Sequence, residues 1–498
     1  MRNELKPNRP LMVDSYKSGQ FQQVPTGTTY MHSYFESRGS GRGYDRTVFF
    51  GMQHFLKKYY STPIEMWEVQ EAKEIFDDRN EPFNYEGWKR IVEEFGGKLP
   101  IRVRAVAEGT VVPTKNVLFT VESLHENFAW IPDYIETAFV RAGWYGTTVA
   151  TQSYHLRELI YSYLEKTADD PDAEIPFKLH DFGARGASST ETAEIGGAAH
   201  LLIFRGSDTV EGVRLMKNYY NEFKGLTNSI PASQHSTISS WGREGEVDAY
   251  RNMLNLYKGN GIFACVSDTW NIYDACEKLW GGELRQEVID SGALVVIRPD
   301  SGDPIEVLCG KVGSFREPPT EQEAKGVLGI LAEKFGYTTN SKGYKVLNYV
   351  KVIQGDGVNP DSIKAILQEM ERRGYSASNI AFGMGGALLQ KVDRDTLKMA
   401  YKCSAAEVNG KMIDVYKDPI TDIGKRSKKG RLELMHSEDG YVTVNRDELA
   451  KANPFAVVYG SVLRAIYENG EILVNENFST IRERAALKKD KKYDTIGK

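Results

Sequence analysis

Between residues 177 and 386 the chain repeats one pattern: a short apolar run, a charged or glycine-rich turn, then a stretch of helical periodicity. The runs cover 177–183, 201–204, the step around Ile230, 261–268, 293–300, 349–356 and 380–383. The stretches 209–222, 246–257, 270–280, 321–335 and 360–373 read as helices. Alternating β and α segments imply parallel strands with helices packed outside them. Seven such units suit closure into a barrel better than a six-strand open sheet. An open doubly wound sheet is the alternative that the pattern leaves.

The flanks follow a different pattern. Residues 30–38 alternate as a strand, and 48–60, 64–77 and 85–95 read as amphipathic helices. From 99 to 123, Ile101, Val103 and Ala105 alternate with Arg102 and Arg104, which predicts a sheet with one buried face. Helices are expected over 130–142 and 148–166. Beyond Gln390, the segments 398–408 and 411–416 flank Asn409-Gly410, the strongest short hairpin signal. Further strands are expected at 440–444 and 471–474. These late strands are expected to join the early ones, so that residues 1–146 and 391–498 form one mixed sheet domain around an α/β barrel at 147–390. A charged tail, including 488–493, ends the chain.

Composition bounds the function. A chain of 498 residues that is 41% hydrophobic has the length and apolar content for two or three units, or one barrel with a large addition, with a sizeable core. A formal net charge of −5 provides no basic field for nucleic acid. The four cysteines, Cys265, Cys276, Cys309 and Cys403, lack metal-ligand spacing and read as reduced and structural. No apolar leader or run of about 18 apolar residues appears, so a soluble, cytoplasmic protein without membrane contact is expected.

In a parallel barrel the loops at the C-terminal ends of the strands converge on one mouth. Here those ends read Asp181-Phe182-Gly-Ala-Arg185, Arg205-Gly-Ser-Asp208, Gln234-His235-Ser, Ser267-Asp268, Arg298-Pro-Asp300-Ser-Gly, Gly355-Asp356-Gly and Gly383-Met-Gly385-Gly386. Arginines grip phosphates bidentately, and glycine turns at helix starts expose N–H groups to them. Carboxylates bond sugar hydroxyls or a magnesium-bound polyphosphate. Phe182 offers a face to a flat ring. A single His235 stands among small hydroxyl residues, and histidine is the residue type suited to gain and lose charge near neutral pH. The inventory suits a phosphorylated sugar and a planar partner. Downstream, Lys425-Arg-Ser-Lys428-Lys-Gly-Arg431 puts five cations in seven residues: a solvated run, an import-like patch or a phosphate clamp.

The motifs Lys178-Leu-His-Asp-Phe-Gly-Ala-Arg-Gly, Pro231-Ala-Ser-Gln-His-Ser-Thr, Val266-Ser-Asp-Thr-Trp-Asn, Ile297-Arg-Pro-Asp-Ser-Gly, Ile353-Gln-Gly-Asp-Gly and Ala381-Phe-Gly-Met-Gly-Gly, with the 425–431 run, resemble the nicotinamide phosphoribosyltransferases, type II phosphoribosyltransferases. The likeness runs from Asp14 to about residue 435. It implies an irregular α/β barrel joined to a mixed, largely antiparallel sheet domain, and a homodimer with shared sites. It also implies transfer of phosphoribosyl from phosphoribosyl pyrophosphate to nicotinamide, with Mg2+ and with ATP phosphorylating a histidine.

Residue by residue, the resemblance makes His235 the phosphorylated group, oriented by Asp268. Asp300, with Asp268 nearby, manages the ribose and magnesium-pyrophosphate, the metal being held mainly through substrate. Phe182 and Tyr16 of a second copy sandwich the ring, Asp208 accepts from the carboxamide, and Arg185 and Arg298 contact phosphate, ribose or base. Asp356 and Gly355 lie with Gly385, Gly386 and Arg394 at the ribose 5′-phosphate. Arg38, Lys402, Lys417, Lys425 and Arg431 hold polyphosphate across the dimer. Gln234 and Ala184 depart from the acidic residue and the tyrosine that the resemblance leads one to expect. Nicotinate phosphoribosyltransferase, or a catalytically silent nucleotide-binding protein of the same fold, stays open at this point.

Overall fold

The computed structural model describes residues 6–313, 317–422, 425–438 and 440–486. The tail at 488–493 lies outside them. The chain divides into two compact units, one of 1–151, 215–222 and 392–498, the other of 152–214 and 223–391. The sequence placed the first boundary at 146/147. The division at 151/152 falls inside the continuous helix Glu136–Thr167, which also spans 146/147, and the short piece 215–222 goes to the first unit.

That unit is organised by a seven-stranded antiparallel sheet, ordered Lys411–Asp414, Met399–Val408, Thr28–Ser37, Val117–Ser123, Ile101–Ala105, Arg464–Glu468 and Glu471–Ile472. Four of the seven strands come from beyond residue 390, so both ends of the chain build one sheet. Asn409 (φ 51°) and Gly410 (φ 72°) are both left-handed, the geometry an Asn-Gly hairpin turn needs to match strand twist. Phe35 and Phe119 stack with centroids 4.7 Å apart at the centre of the core.

Two expectations for this unit need correction. The helices expected at 130–142 and 148–166 are one 32-residue helix, Glu136–Thr167, preceded by the single turn Ile131–Tyr134. Gly143 reads as a breaker but serves packing: a Cβ there would lie 2.9 Å from the Phe35 ring. The helix expected from residue 48 starts at Met52. Residues Arg46–Val48 form a strand, and Gly51 at φ 114° separates the two.

The second unit is the α/β barrel. Six parallel strands run in the order Gly206–Ser207, Leu179–Asp181, Ile380–Met384, Val350–Gln354, Leu294–Arg298, Ile262–Val266. The seventh stave is irregular. The segment around Ile230 makes single parallel bridges to each edge, Gly206 with Asn228 and Ala232 with Ala264. Asn228 N–H donates to Arg205 O at 2.7 Å and Ala264 N–H to Pro231 O at 2.8 Å, which joins the two edges of the curled sheet. Pro231 has no N–H to offer, so no regular ladder forms there.

The run 201–204 is not a strand. Leu201 ends the helix Thr190–Leu201, and Leu202, Ile203 and Phe204 are buried in the turn before the two-residue strand Gly206–Ser207. A four-residue apolar run fits a buried helix end as well as a strand. The helix expected at 270–280 is a single turn, Ile272–Asp274, capped by Asn271, followed by the π-helix Ala275–Glu283. The latter buries Trp280 against Tyr250, and the Trp280 indole N–H donates to Ser267 Oγ at 3.0 Å.

Candidate active site

Parallel strands sharing one direction bring their ends to one rim. Main-chain bonds knit it: Asp208 N–H to Asp181 O (2.9 Å), Phe182 N–H to Met384 O (3.0 Å) and Ser267 N–H to Arg298 O (3.0 Å). Phe182, Arg185, Asp208, His235, Asp268, Arg298, Asp300, Gly355, Asp356, Gly385 and Gly386 all lie at or just beyond strand ends on this rim.

His235 opens the short helix His235–Ser239, with Gln234 extended at its N-cap. The ring is half-exposed. Its Nε2 lies 2.9 Å from Asp268 Oδ1, while Nδ1 is 3.9 Å from Asp300 Oδ2. Facing a carboxylate, Nε2 is the donor, and the neutral ring keeps its lone pair on Nδ1. Asp268 is buried and its other oxygen accepts from Asp300 N–H (3.0 Å) and Ser301 Oγ–H (2.5 Å). Those bonds fix the carboxylate that orients the histidine. The Gln234 amide donates to Ser236 Oγ at 2.8 Å and brings no charge beside the ring.

Arg298 Nη2 donates to Asp300 Oδ2 at 2.8 Å, and its Nε is buried with no protein hydrogen-bond partner. A buried guanidinium N–H left open in this way suits an acceptor from a ligand. Gly355 leaves room beside that pair: a Cβ there would come within 3.0 Å of Asp300 Oδ1. Phe182 is seated by a second glycine, since a Cβ on Gly383 would be 2.0 Å from its ring. Gly385 and Gly386 open the four-residue helix Gly386–Leu389, and a Cβ on Gly386 would meet open space. Asp356 and Arg185 are exposed.

Asp208 is exposed and its Oδ1 accepts from Ser229 Oγ–H at 2.7 Å. Beside it, His180 is half-buried. Desolvation lowers its pKa, and Nε2 lies 3.1 Å from Phe177 O. A cavity of about 520 Å³ enters the barrel from the strand starts and is lined by His180, Ser229, Ile230, Val296, Ile353 and Ala381. At its outer end, burial and the charge of Lys178 hold the Lys351 ammonium down at about 8. Sequence reasoning missed this cavity, along with Ser229, His180 and Ser301. The available signal was the small inward residues Ala264 and Ala381, which leave the barrel interior incompletely filled.

The remaining sequence candidates belong to the sheet unit. Tyr16 is 66% exposed on the single turn Ser15–Lys17. The predicted cation clamp is largely charge-paired: Arg38 with Glu36 (3.5 Å), Lys402 with Glu136 (3.9 Å), Lys425 with Asp422 (3.4 Å), and Arg431 with Asp447. Lys428 pairs with the buried Glu36. Ser427 N–H donates to Lys417 O at 3.1 Å, and Lys417 N–H donates to Ser427 Oγ at 2.9 Å. Arg394 pairs with Asp395 at 3.1 Å. Among the described residues, no group of three or more His, Cys, Asp and Glu side chains is arranged to hold a metal ion. Nor is any described helix long and apolar enough to cross a membrane.

Comparison with known proteins fits this geometry. Residues 177–459 match the nicotinate phosphoribosyltransferase family, and residues 8–103 match the nicotinamide phosphoribosyltransferase N-terminal domain. A nicotinamide phosphoribosyltransferase of Xanthomonas campestris is 49% identical over 482 residues, covering 96% of this chain and 98% of that protein. One from Acinetobacter baylyi is 30% identical, covering 95% and 96%. Among solved structures, a nicotinate-nucleotide pyrophosphorylase from Pyrococcus furiosus aligns with a TM-score of 0.60 at 17% identity, covering 97% of both chains. Human nicotinic acid phosphoribosyltransferase aligns at 0.55 and 15%, covering 95% of this chain and 93% of its own. These two likenesses speak for the fold.

Proposed function

The chain belongs to the nicotinate phosphoribosyltransferase family, in its nicotinamide phosphoribosyltransferase branch, and from that premise we propose the reaction its barrel mouth performs. It transfers phosphoribosyl from 5-phosphoribosyl 1-pyrophosphate to nicotinamide, giving nicotinamide mononucleotide and pyrophosphate, a salvage step toward NAD. The ring nitrogen lone pair attacks the anomeric carbon, the bond to pyrophosphate breaks, and its electron pair leaves with pyrophosphate. No proton need move, so positioning and leaving-group neutralisation dominate the chemistry.

The observation that carries the choice of nicotinamide is the Asp208 carboxylate at the Phe182 end of the rim, with one oxygen already bonded to Ser229. A second carboxylate on the base would be repelled there, whereas an amide N–H would be accepted. Phe182 stacks on the ring, and Tyr16 of a second copy supplies the opposite face in a homodimer. Arg298, through its open Nε, and Arg185 hold the substrate. Asp300 and Asp356 bond the ribose, and Gly385 and Gly386 seat the 5′-phosphate with Arg394. Magnesium would ride on the pyrophosphate, with Asp300 as the protein carboxylate near it, and would neutralise the leaving group. Arg38, Lys402, Lys425 and Arg431 serve polyphosphate by exchanging their carboxylate partners for it, and Lys417 joins them.

ATP acts as co-substrate. His235 Nδ1 attacks the γ-phosphorus, the bond to the bridging oxygen breaks, and ADP leaves. The Asp268 carboxylate supports the charge on the ring. Gln234 contributes no negative charge beside the phosphohistidine. The decisive experiment is product mass spectrometry with phosphoribosyl pyrophosphate, magnesium and either nicotinamide or nicotinic acid, with and without ATP. Nicotinamide mononucleotide is the expected product. Exclusive formation of the acid mononucleotide would reject the amide assignment, and binding without turnover would reject catalysis.

A further inference from the structure

Phe182 and Asp208, the two groups assigned to the base, sit on separate turns after separate strands. Each has a sequence neighbour that bonds the same buried side chain, Asp181. Phe182 lies between Asp181 and Gly183, whose N–H donates to Asp181 Oδ1 at 2.7 Å. Asp208 lies between Ser207 and Thr209. Ser207 Oγ–H donates to Asp181 Oδ2 at 3.4 Å, and the same Oγ accepts Thr209 N–H at 3.0 Å. Asp181 O accepts Asp208 N–H at 2.9 Å. One residue therefore anchors both turns from below, through two carboxylate oxygens and its carbonyl.

Asp181 is fully buried, so it does not face the mouth. Burying a carboxylate is costly, and desolvation pushes its pKa up to about 6. The surroundings are cut to fit it. A Cβ on Gly183 would come within 3.0 Å of Asp181 Oδ1 and 2.6 Å of Leu389, so the turn closes over the carboxylate only with glycine there. Both of its hydrogen-bond partners are donors, since the Ser207 oxygen already accepts from Thr209 and its proton is free for Asp181.

We propose that Asp181 is a positioning residue for the base: its carboxylate ties the Phe182 turn to the Asp208 turn and sets the separation between stacking face and amide acceptor. The proposal rests on the base assignment made above. It requires that loss of Asp181 act chiefly on the nicotinamide step, because apart from Arg185 the proposed phosphoribosyl pyrophosphate contacts come from other strand ends.

The test measures kcat and KM for each substrate in full-length Asp181→Ala, Asp181→Asn, Ser207→Ala and Asp208→Ala, with thermal unfolding alongside. Asp181→Ala is expected to raise the nicotinamide KM about ten-fold while the phosphoribosyl pyrophosphate KM moves less than about two-fold. Asp181→Asn keeps an acceptor for Gly183 N–H and should restore most of the loss. Ser207→Ala, which removes the carboxylate's bond to the Asp208 turn and leaves the main-chain bond from Asp208 N–H to Asp181 O, should raise the nicotinamide KM roughly three-fold, and it decides the matter if Asp181→Ala does not fold. A folded Asp181→Ala with unchanged nicotinamide KM, or with both KM values raised alike, overturns the proposal. If Asp208→Ala also leaves the nicotinamide KM unchanged, the base assignment itself is at fault and the proposal falls with it.

Discussion

Asp208 and His235 show how single side chains on the rim are set by one neighbour each. The Ser229 hydroxyl donates to Asp208 Oδ1, which holds in place the charge to which the proposed function assigns amide selectivity. Replacing Asp208 with Asn removes the charge and keeps the shape. The kcat/KM preference for nicotinamide over nicotinic acid should then fall roughly 10- to 100-fold in a competition assay. An unchanged ratio would end the electrostatic argument. For His235, the Asp268 bond at Nε2 leaves Nδ1 open, the atom to which the proposed phosphorylation assigns the phosphate. His235→Ala should abolish acid-labile labelling from γ-labelled ATP together with ATP stimulation, while phosphoribosyl transfer without ATP persists. Full ATP stimulation in that variant would sink the phosphohistidine assignment. Gln234→Glu adds a charge next to the ring and gives a second, graded perturbation of the same step.

At the level of elements, Glu108 joins pieces far apart in sequence. It accepts Gln53 N–H at the start of helix Met52–Tyr59 (2.7 Å) and Tyr220 Oη–H (2.8 Å), while its carbonyl accepts from Arg484 on the helix Phe478–Ala485. Burial, with the Glu476 charge nearby, raises its pKa from 4.5 to about 7. A carboxyl raised in the folded state stabilises least when ionised, so stability is lost as pH rises from the unfolded value through 7. The span corresponds to roughly 3 kcal/mol. Glu108→Gln keeps an acceptor and removes the charge, so its melting temperature should gain on the wild type between pH 5.5 and 8.5. A constant difference would refute the linkage. Elements with their own caps were legible in the sequence. The helices Tyr85–Phe95, capped by Asn84, and Pro360–Arg372, capped by Asn359, fall within one residue of where periodicity put them. The strand ends carrying His235, Asp268 and Arg298 were legible for the same local reason. What escaped depends on contacts between distant segments: the turn at 201–204, the unbroken helix through Gly143, the Ser229–Asp208 bond and the cavity. Nothing in a local window says which neighbour will bury a run or leave a gap beside it.

Across the whole chain, the two units place different demands on folding. In the sheet unit, strand Thr28–Ser37 must pair with Met399–Val408, and His32 bonds Ser404 372 positions away. Closing a loop of that length costs about 5 kcal/mol before the pairing contributes anything. In the barrel unit, neighbouring strands are mostly near in sequence, and only the junction of Leu179–Asp181 with Ile380–Met384 is distant. Forming the barrel also brings its own ends together, since Gln152 Nε2 donates to Ala387 O at 3.1 Å. That contact shortens the loop left for the sheet to roughly a third, worth about 1 kcal/mol, so barrel formation assists the sheet. Pulse-labelled hydrogen exchange during refolding should therefore protect the amides of Ile262–Val266 and Leu294–Arg298 before those of Thr28–Ser37. A chain ending near residue 391 should lose four strands of the sheet and fail to protect Thr28–Ser37 at all, while its barrel amides still become protected. Protection of the sheet amides first would show that the distant strands find each other without the barrel, and would reverse the proposed order.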